Sequence, residues 1–180
     1  MNQYISSAAK VFLHTYLTLL LPVAAMLALL FLGGKDAHLM NSVLEFGLMS
    51  TAICALVLTI FQVASIKPEP GVLPAAGFGV RQTLVASATQ APAQIIDRLQ
   101  KGLLPHPWKI VNIDRETGTL RFETGSTWRS LGEVIEIRAR PQENGGTELR
   151  AVSMPFIRFA PIDFGKNRQN IQLLRRILET

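Results

Sequence analysis

The chain has 180 residues, a net charge of +5, a hydrophobic fraction of 48% and one cysteine, Cys54. A single cysteine excludes an intramolecular disulfide framework, and no cluster of His, Cys and Asp has the spacing of a metal site. The apolar residues are concentrated before residue 67 and most charges follow it. This distribution indicates a membrane anchor joined to one small domain.

Two apolar runs, residues 11–32 and 43–66, open the chain. Each holds about 20 largely apolar residues, enough for a helix to cross roughly 30 Å of hydrocarbon. We predict a transmembrane hairpin over residues 1–66 that turns at Gly33 and Gly34. The first run is about twice as long as the apolar region of a signal peptide, and a second run follows at once. These features favour a retained helix over a cleaved signal.

Lys and Arg residues beside the two runs predict their orientation. Lys10 and the terminal amine precede the first run, and Lys67 and Arg81 follow the second. The short loop between the runs holds one Lys, which Asp36 offsets. Because positive charge is retained on the cytoplasmic side, we expect a multi-pass protein of the bacterial inner membrane with both termini in the cytoplasm.

Residues 67–80 have a composition unlike either neighbour. The segment KPEPGVLPAAGFGV contains three prolines and three glycines and shows no hydrophobic period. Such a composition is typical of a linker, so we predict that residues 67–80 tether a domain of residues 81–180.

The domain shows alternating strand and helix patterns. The first helix, residues 91–101, is expected to take Thr89 as its cap and to stop at Gly102. Strands are predicted over residues 83–88, 108–114, 119–124, 131–140 and 147–153, and a last helix over residues 166–179. The order β-α-β-β-β-β-α predicts an α+β fold with an antiparallel sheet, of the TATA-binding-protein-like or helix-grip type.

Three of the strands alternate with a period of two. Their apolar positions share one face, and their charged positions, which include Glu136, Arg138 and Arg150, share the other. We expect both helices to cover the apolar face. The charged face is expected to be solvated, with opposite charges paired across neighbouring strands.

The densest polar group lies at the end of the chain. The candidate site for a ligand or partner contains Ser153, Arg158, Asp163, Gly165, Asn167 and Arg168. Asp163 precedes the last helix, where a carboxylate accepts backbone N–H groups and complements the helix dipole. One interpretation is a capping turn that fixes the helix. The alternative is a small polar site at a helix N-terminus, which favours anions.

Residues 108–178 carry a recognisable series of motifs. They open with Trp108-Lys-Ile-Val, continue through Gly132-Glu133-Val-Ile-Glu-Ile, and end with Asp163-Phe-Gly-Lys-Asn167 before Ile171. This stretch resembles a bacterial family catalogued as a domain of unknown function, whose members open their last helix with D-x-G-x-N. The resemblance implies the same fold and a bacterial membrane setting, and it implies no activity.

No nucleophile–base set is evident, because His106 is the only histidine of the domain and Cys54 lies in an apolar run. We therefore expect a non-enzymatic protein without cofactor or metal. The excess of 16 Lys and Arg over 11 Asp and Glu from Lys67 onward fits anionic lipid, and no nucleic-acid motif accompanies it. The expected function is protein interaction or self-assembly at the bilayer. The alternative is binding of a lipid or small apolar ligand.

Overall fold

A computed structural model describes residues 2–34, 36–66, 78–127, 129–143 and 145–179. The chain forms two compact units, Met1–Gly79 and Val80–Thr180. The predicted linker of residues 67–80 lies outside the described residues as far as residue 77.

The first unit is a pair of long helices. Helix α1 spans Asn2–Leu32 and runs through Pro22, and α2 spans Ala37–Ser65. Both helices are long and apolar enough to cross a membrane, by length and composition. Both helices begin before the predicted apolar runs, because each includes the more polar residues that precede its run. Asp36 caps α2, and its side chain accepts a hydrogen bond from the Leu39 N–H at 2.7 Å.

Small residues allow α1 and α2 to approach each other. A Cβ atom added at Gly47 would lie 2.6 Å from Cγ1 of Val23, and Ala55 is fully buried. The amide of Gln62 is also buried and donates a 3.4 Å hydrogen bond to the carbonyl of Phe78. The close contact between α1 and α2 at Gly47 is typical of helices that pack in a membrane.

The second unit is an antiparallel sheet with two helices. Its strands follow the order β1-β5-β4-β3-β2, so β1 and β2 form the edges. The elements are β1 (Gln82–Ala88), α3 (Pro92–Leu103), β2 (Trp108–Asp114), β3 (Thr119–Thr124), β4 (Glu133–Pro141), β5 (Thr147–Pro155) and α4 (Lys166–Glu179). The predicted order β-α-β-β-β-β-α and the α+β class are confirmed.

Side chains fill the space between the sheet and the helices. Phe122, Ile135 and Leu174 are at most 1% exposed. Trp108 is partly buried, and its ring centroid lies 5.9 Å from that of Phe122 in an edge-on arrangement. The buried side chains of α3 and α4 complete this core. The apolar face predicted by the two-residue period is the one that is covered.

Two predicted helix signals are wrong. Helix α3 has Ala91 rather than Thr89 at its N-cap, and the side chain of Gln94 accepts the Ala91 N–H at 3.3 Å. Gly102 does not end the helix, which continues to Leu103. Gly102 instead marks a close contact, because a Cβ atom there would lie 2.6 Å from Cγ2 of Ile177 on α4. The bounds of β2, β3 and α4 are as predicted, and those of β1, β4 and β5 shift by one or two residues at one or both ends; β4 begins at Glu133 rather than at residue 131.

Candidate functional site

The turn before α4 is held by the carboxylate of Asp163. Its Oδ1 accepts the Gly165 N–H at 3.1 Å, and its Oδ2 accepts the Asn167 N–H at 2.8 Å. Phe164 and Gly165 both have positive φ, 47° and 74°, and the Lys166 N–H returns to the Asp163 carbonyl at 3.0 Å. Positive φ at both central residues is the requirement of a type I′ turn. Gly165 therefore meets the requirement of this turn for a residue with positive φ.

Asn167 connects this turn to the sheet. Its Nδ2 donates to Oδ2 of Asp163 at 2.8 Å, and its Oδ1 accepts from Oγ of Ser153 on β5 at 2.6 Å. Asn170, one turn along α4, donates to the same Ser153 oxygen at 3.1 Å. These four side chains are at most 2% exposed. Because buried donors and acceptors bind each other, the network orients α4 on the sheet.

The two arginines of the predicted site have different environments. Arg158 is exposed on the segment between β5 and α4. Arg168, in the first turn of α4, is only 6% exposed. The structure thus brings together Ser153, Asp163, Gly165 and Asn167, and it leaves Arg158 at the surface.

A second buried carboxylate anchors the loop before β4. Glu133 is fully buried, and its side chain accepts hydrogen bonds from the hydroxyls of Thr124 and Ser130. The Glu133 N–H in turn donates to Oγ1 of Thr124 at 2.9 Å. The hydrogen bonds to Glu133 therefore come from Thr124 and Ser130, whereas those described for Asp163 come from Gly165 and Asn167. Within the described ranges, no group of three or more His, Cys, Asp and Glu residues has a metal-binding arrangement.

The outer face of the sheet carries charges in an uneven register. Three cations lie opposite an acid on the neighbouring strand; the pairs are Lys109 with Glu123, Arg121 with Glu136, and Arg140 with Glu148. Arg138 instead lies directly opposite Arg150. Like charges in that position destabilise a sheet. The expectation of opposite pairing therefore fails at this one position.

Arg138 and Arg150 line a shallow cavity of about 170 Å³ together with Arg81, Glu136 and Val152. All three arginines are exposed, and among the described residues they form no ion pair. The acid in the cavity, Glu136, has Oε1 3.6 Å from Nη1 of Arg121. The cavity therefore presents more positive charge than it neutralises, which suits an anionic group. Strand register cannot be read from the sequence, so this cluster was not predicted.

A larger cavity of about 280 Å³ lies at the end of the sheet where β4 begins. Its walls come from the loop before β4 and from the segment after β5, and they include Leu131, Pro155, Ile157, Pro161 and Ile162. Arg129 and Ser130 are its polar neighbours. A small apolar group suits such walls.

No protein-family model and no curated protein matches the chain. Among solved structures, the crystal structure of Ara h 8.0201 is similar to it, with a TM-score of 0.42 and 12% sequence identity. That match covers 55% of this chain and 95% of the other.

Proposed function

We propose that this is a non-enzymatic protein of the bacterial inner membrane, whose anchored α+β domain mediates protein interaction or assembly at the membrane surface. Helices α1 and α2 form the anchor, with both termini in the cytoplasm. Their large apolar side chains are exposed along the length of both helices, as lipid-facing residues are; examples are Leu17, Leu29, Phe46 and Ile60. The proposed family remains the bacterial domain of unknown function that residues 108–178 resemble.

The finer fold type that we propose is helix-grip. Helix α4 packs along β1 and β5 and contacts α3 on the same side of a single sheet. The space under the sheet is filled by side chains, Phe122, Ile135 and Leu174 among them. A filled interior favours a function at the surface of the domain over a ligand held inside it.

One observation carries the proposal of a protein partner. Arg138 on β4 lies directly opposite Arg150 on β5, whereas every other cation of the paired strands lies opposite an acid. An acidic segment of a partner protein, or of a second copy of this chain, would neutralise the pair and remove the like-charge repulsion. The outer face of the sheet is therefore the proposed interface.

A photo-crosslinking residue at position 85 tests this interface. Val85 is 63% exposed on β1 and lies opposite Arg150, so a partner on this face comes within reach of it. We expect an adduct in native membranes whose yield falls several-fold in the variant Arg138→Gln/Arg150→Gln. The matched control is Arg140→Gln, since Arg140 lies on the same strand but faces Glu148. Equal adduct yields in all three proteins would contradict the proposal.

The second candidate function is binding of a small apolar ligand. The cavity of about 280 Å³ beside Leu131 and Ile157 favours it, because its walls are mainly apolar. Native mass spectrometry of the purified full chain is the discriminating measurement. A bound species that Leu131→Arg removes would support this candidate over the protein interface.

A further inference from the structure

The register of the sheet gathers four segments at one end of the domain. Gln82 at the start of β1 pairs with Ser153, and Glu133 at the start of β4 pairs with Pro155. Trp108 at the start of β2 pairs with Thr124 at the end of β3. Residues 80–81, 104–107, 125–127, 129–132 and 156–165 therefore flank the same end, which we call the proximal end because β1, the first strand in the chain, begins there.

Large exposed apolar side chains are concentrated at the proximal end. The segments there hold Leu104, Leu131, Phe156 and Phe159, which are between 58% and 72% exposed. The described loop residues at the opposite, distal end, 89–91, 115–118, 142–143 and 145–146, are Thr, Gln, Arg, Glu, Gly and one Ala. Apolar surface concentrated at one end of a domain marks an interaction site with a protein or a membrane.

The exposed charges of the proximal segments are cationic. Its segments contain Arg81, Arg129 and Arg158, and their single acid is Asp163. Asp163 is 1% exposed and is bound within the turn before α4, whereas Arg81 and Arg158 are exposed. The accessible charge on these segments is therefore cationic, which complements an anionic surface. Glu136 of β4 lies beside Arg81 and Arg158, and its Oε1 is 3.6 Å from Nη1 of Arg121.

Sixteen residues, 66–81, separate the end of α2 from the start of β1. A chain of that length extends at most roughly 55 Å, and it joins the domain at the proximal end. Phe and Leu side chains beside Lys or Arg also occur in amphipathic helices that lie in the bilayer interface. Each cation near an anionic leaflet adds to the attraction. The tether and the composition favour the lipid surface over a soluble partner.

We propose that the proximal rim, formed by Leu104, Leu131, Phe156 and Phe159 with Arg81 and Arg158, docks on the anionic head-group layer of the bilayer. The apolar side chains enter the interface, and the two guanidinium groups bind lipid phosphates. This inference rests on the membrane anchoring in the proposed function. It adds a second lipid contact that is independent of α1 and α2.

Site-specific fluorescence in the reconstituted full chain tests the rim. Single-cysteine variants Phe159→Cys, Leu131→Cys and the distal control Glu143→Cys, each in a Cys54→Ala background, are labelled with an environment-sensitive fluorophore. They are placed in vesicles of phosphatidylcholine with or without phosphatidylglycerol, together with nitroxide-labelled lipids. We expect quenching at positions 159 and 131 to exceed that at position 143 several-fold. We also expect quenching to fall when phosphatidylglycerol is omitted and in Arg81→Gln/Arg158→Gln.

The native cysteine separates failure of the rim from failure of the anchor. Cys54 is exposed on α2, so a fluorophore on the otherwise unmodified chain reports whether this helix lies in lipid. Strong quenching at Cys54 with equal, weak quenching at positions 159, 131 and 143 would overturn the rim and leave the anchor intact. Absence of quenching at Cys54 would overturn the anchor itself.

Two further results guard against misinterpretation. A probe at position 159 that is shielded from an aqueous quencher but not quenched by lipid nitroxides would indicate a protein contact, and it would overturn lipid docking. If Phe159→Cys does not fold, Phe156→Cys takes its place, because Phe156 is also exposed on the same segment. Each labelled variant is used only if it unfolds at the temperature of the parent protein.

Discussion

The hydroxyl of Ser153 and the amide of Asn167 join β5 to α4 through a buried hydrogen bond of 2.6 Å. Asn167 also binds Asp163, so the bond links the sheet to the turn that starts the helix. Ser153, Asp163 and Asn167 of the predicted polar group therefore connect α4 to the sheet inside the domain.

Asp163→Ala removes the acceptor of two backbone N–H groups and of the Asn167 amide. Loss of a cap together with buried donors left without an acceptor is expected to cost about 2 kcal/mol of unfolding free energy. Urea unfolding of the detergent-solubilised full chain measures it. The control is Asp97→Ala, which breaks an exposed ion pair with Arg115 and should cost at most about 1 kcal/mol. Equal losses in the two variants would refute the structural role of Asp163.

Gly165→Ala places a side chain on a residue with φ of 74°. The left-handed conformation costs an L-residue about 1–2 kcal/mol, so the variant should unfold at correspondingly lower denaturant. Gly125→Ala is the matched control, because Gly125 has no atoms within 4 Å of the added Cβ and no positive φ. That change is expected to stay within about 0.5 kcal/mol. A neutral Gly165→Ala would show that the turn relaxes to another geometry.

Gly102 and Ile177 should behave as a coupled pair. In the native background, Gly102→Ala drives a Cβ atom to 2.6 Å from Ile177 Cγ2, and the clash offsets the gain in helix propensity. In an Ile177→Ala background the same change should stabilise the domain by about 0.5–1 kcal/mol, because alanine is the better helix former. A double-mutant cycle measures this change of sign. Additive effects would indicate that α3 and α4 separate easily.

Asp114 gives the domain an acid-dependent contribution to stability. The N–H groups of Thr117 and Glu116 donate to its Oδ1, both at 3.0 Å, and these bonds hold the pKa of the Asp114 carboxyl below its ordinary value. Because the folded-state pKa is lowered, the contribution is present above the ordinary aspartate pKa of about 3.9 and is lost as pH falls through the folded value.

The variant Asp114→Asn removes this titration. Its unfolding midpoint should therefore fall less steeply than that of the parent protein when pH is lowered from neutrality to below the ordinary aspartate range. The exposed Glu143→Gln, measured in parallel, gives the effect of removing an acid that lies outside this turn. Parallel curves for Asp114→Asn and the parent would contradict the assignment.

Much of the fold could be predicted because burial imposes a period of two on the strands. Leu120, Phe122, Ile135 and Ile137 lie on the covered face as their alternation predicts. Helix ends were less predictable. The N-cap of α3 is Ala91, although Thr89 is the residue type that caps helices better. Gly102 shows a related error, because a glycine needed for helix packing has the same sequence signal as one that ends a helix.

The candidate site shows the same limit. Asp163, Gly165 and Asn167 were found because a helix start has a local pattern, and their contact with Ser153 follows from packing. Asn170 was missed, although it lies three residues after Asn167 and so on the same side of the helix. The facing pair of Arg138 and Arg150 depends on strand register, which long-range packing determines.

The pairing of β1 with β5 affects how the domain folds during its synthesis. β1 is the first strand to be synthesised, but its ladder joins Ala88 to Thr147 and Gln82 to Ser153, across all of residues 89–146. A nascent chain must therefore keep β1 available until nearly the whole domain has left the ribosome, and such long-range pairing slows folding. Truncation before β5 would remove the strand that joins β1 to β4, together with α4, and would leave an aggregation-prone intermediate.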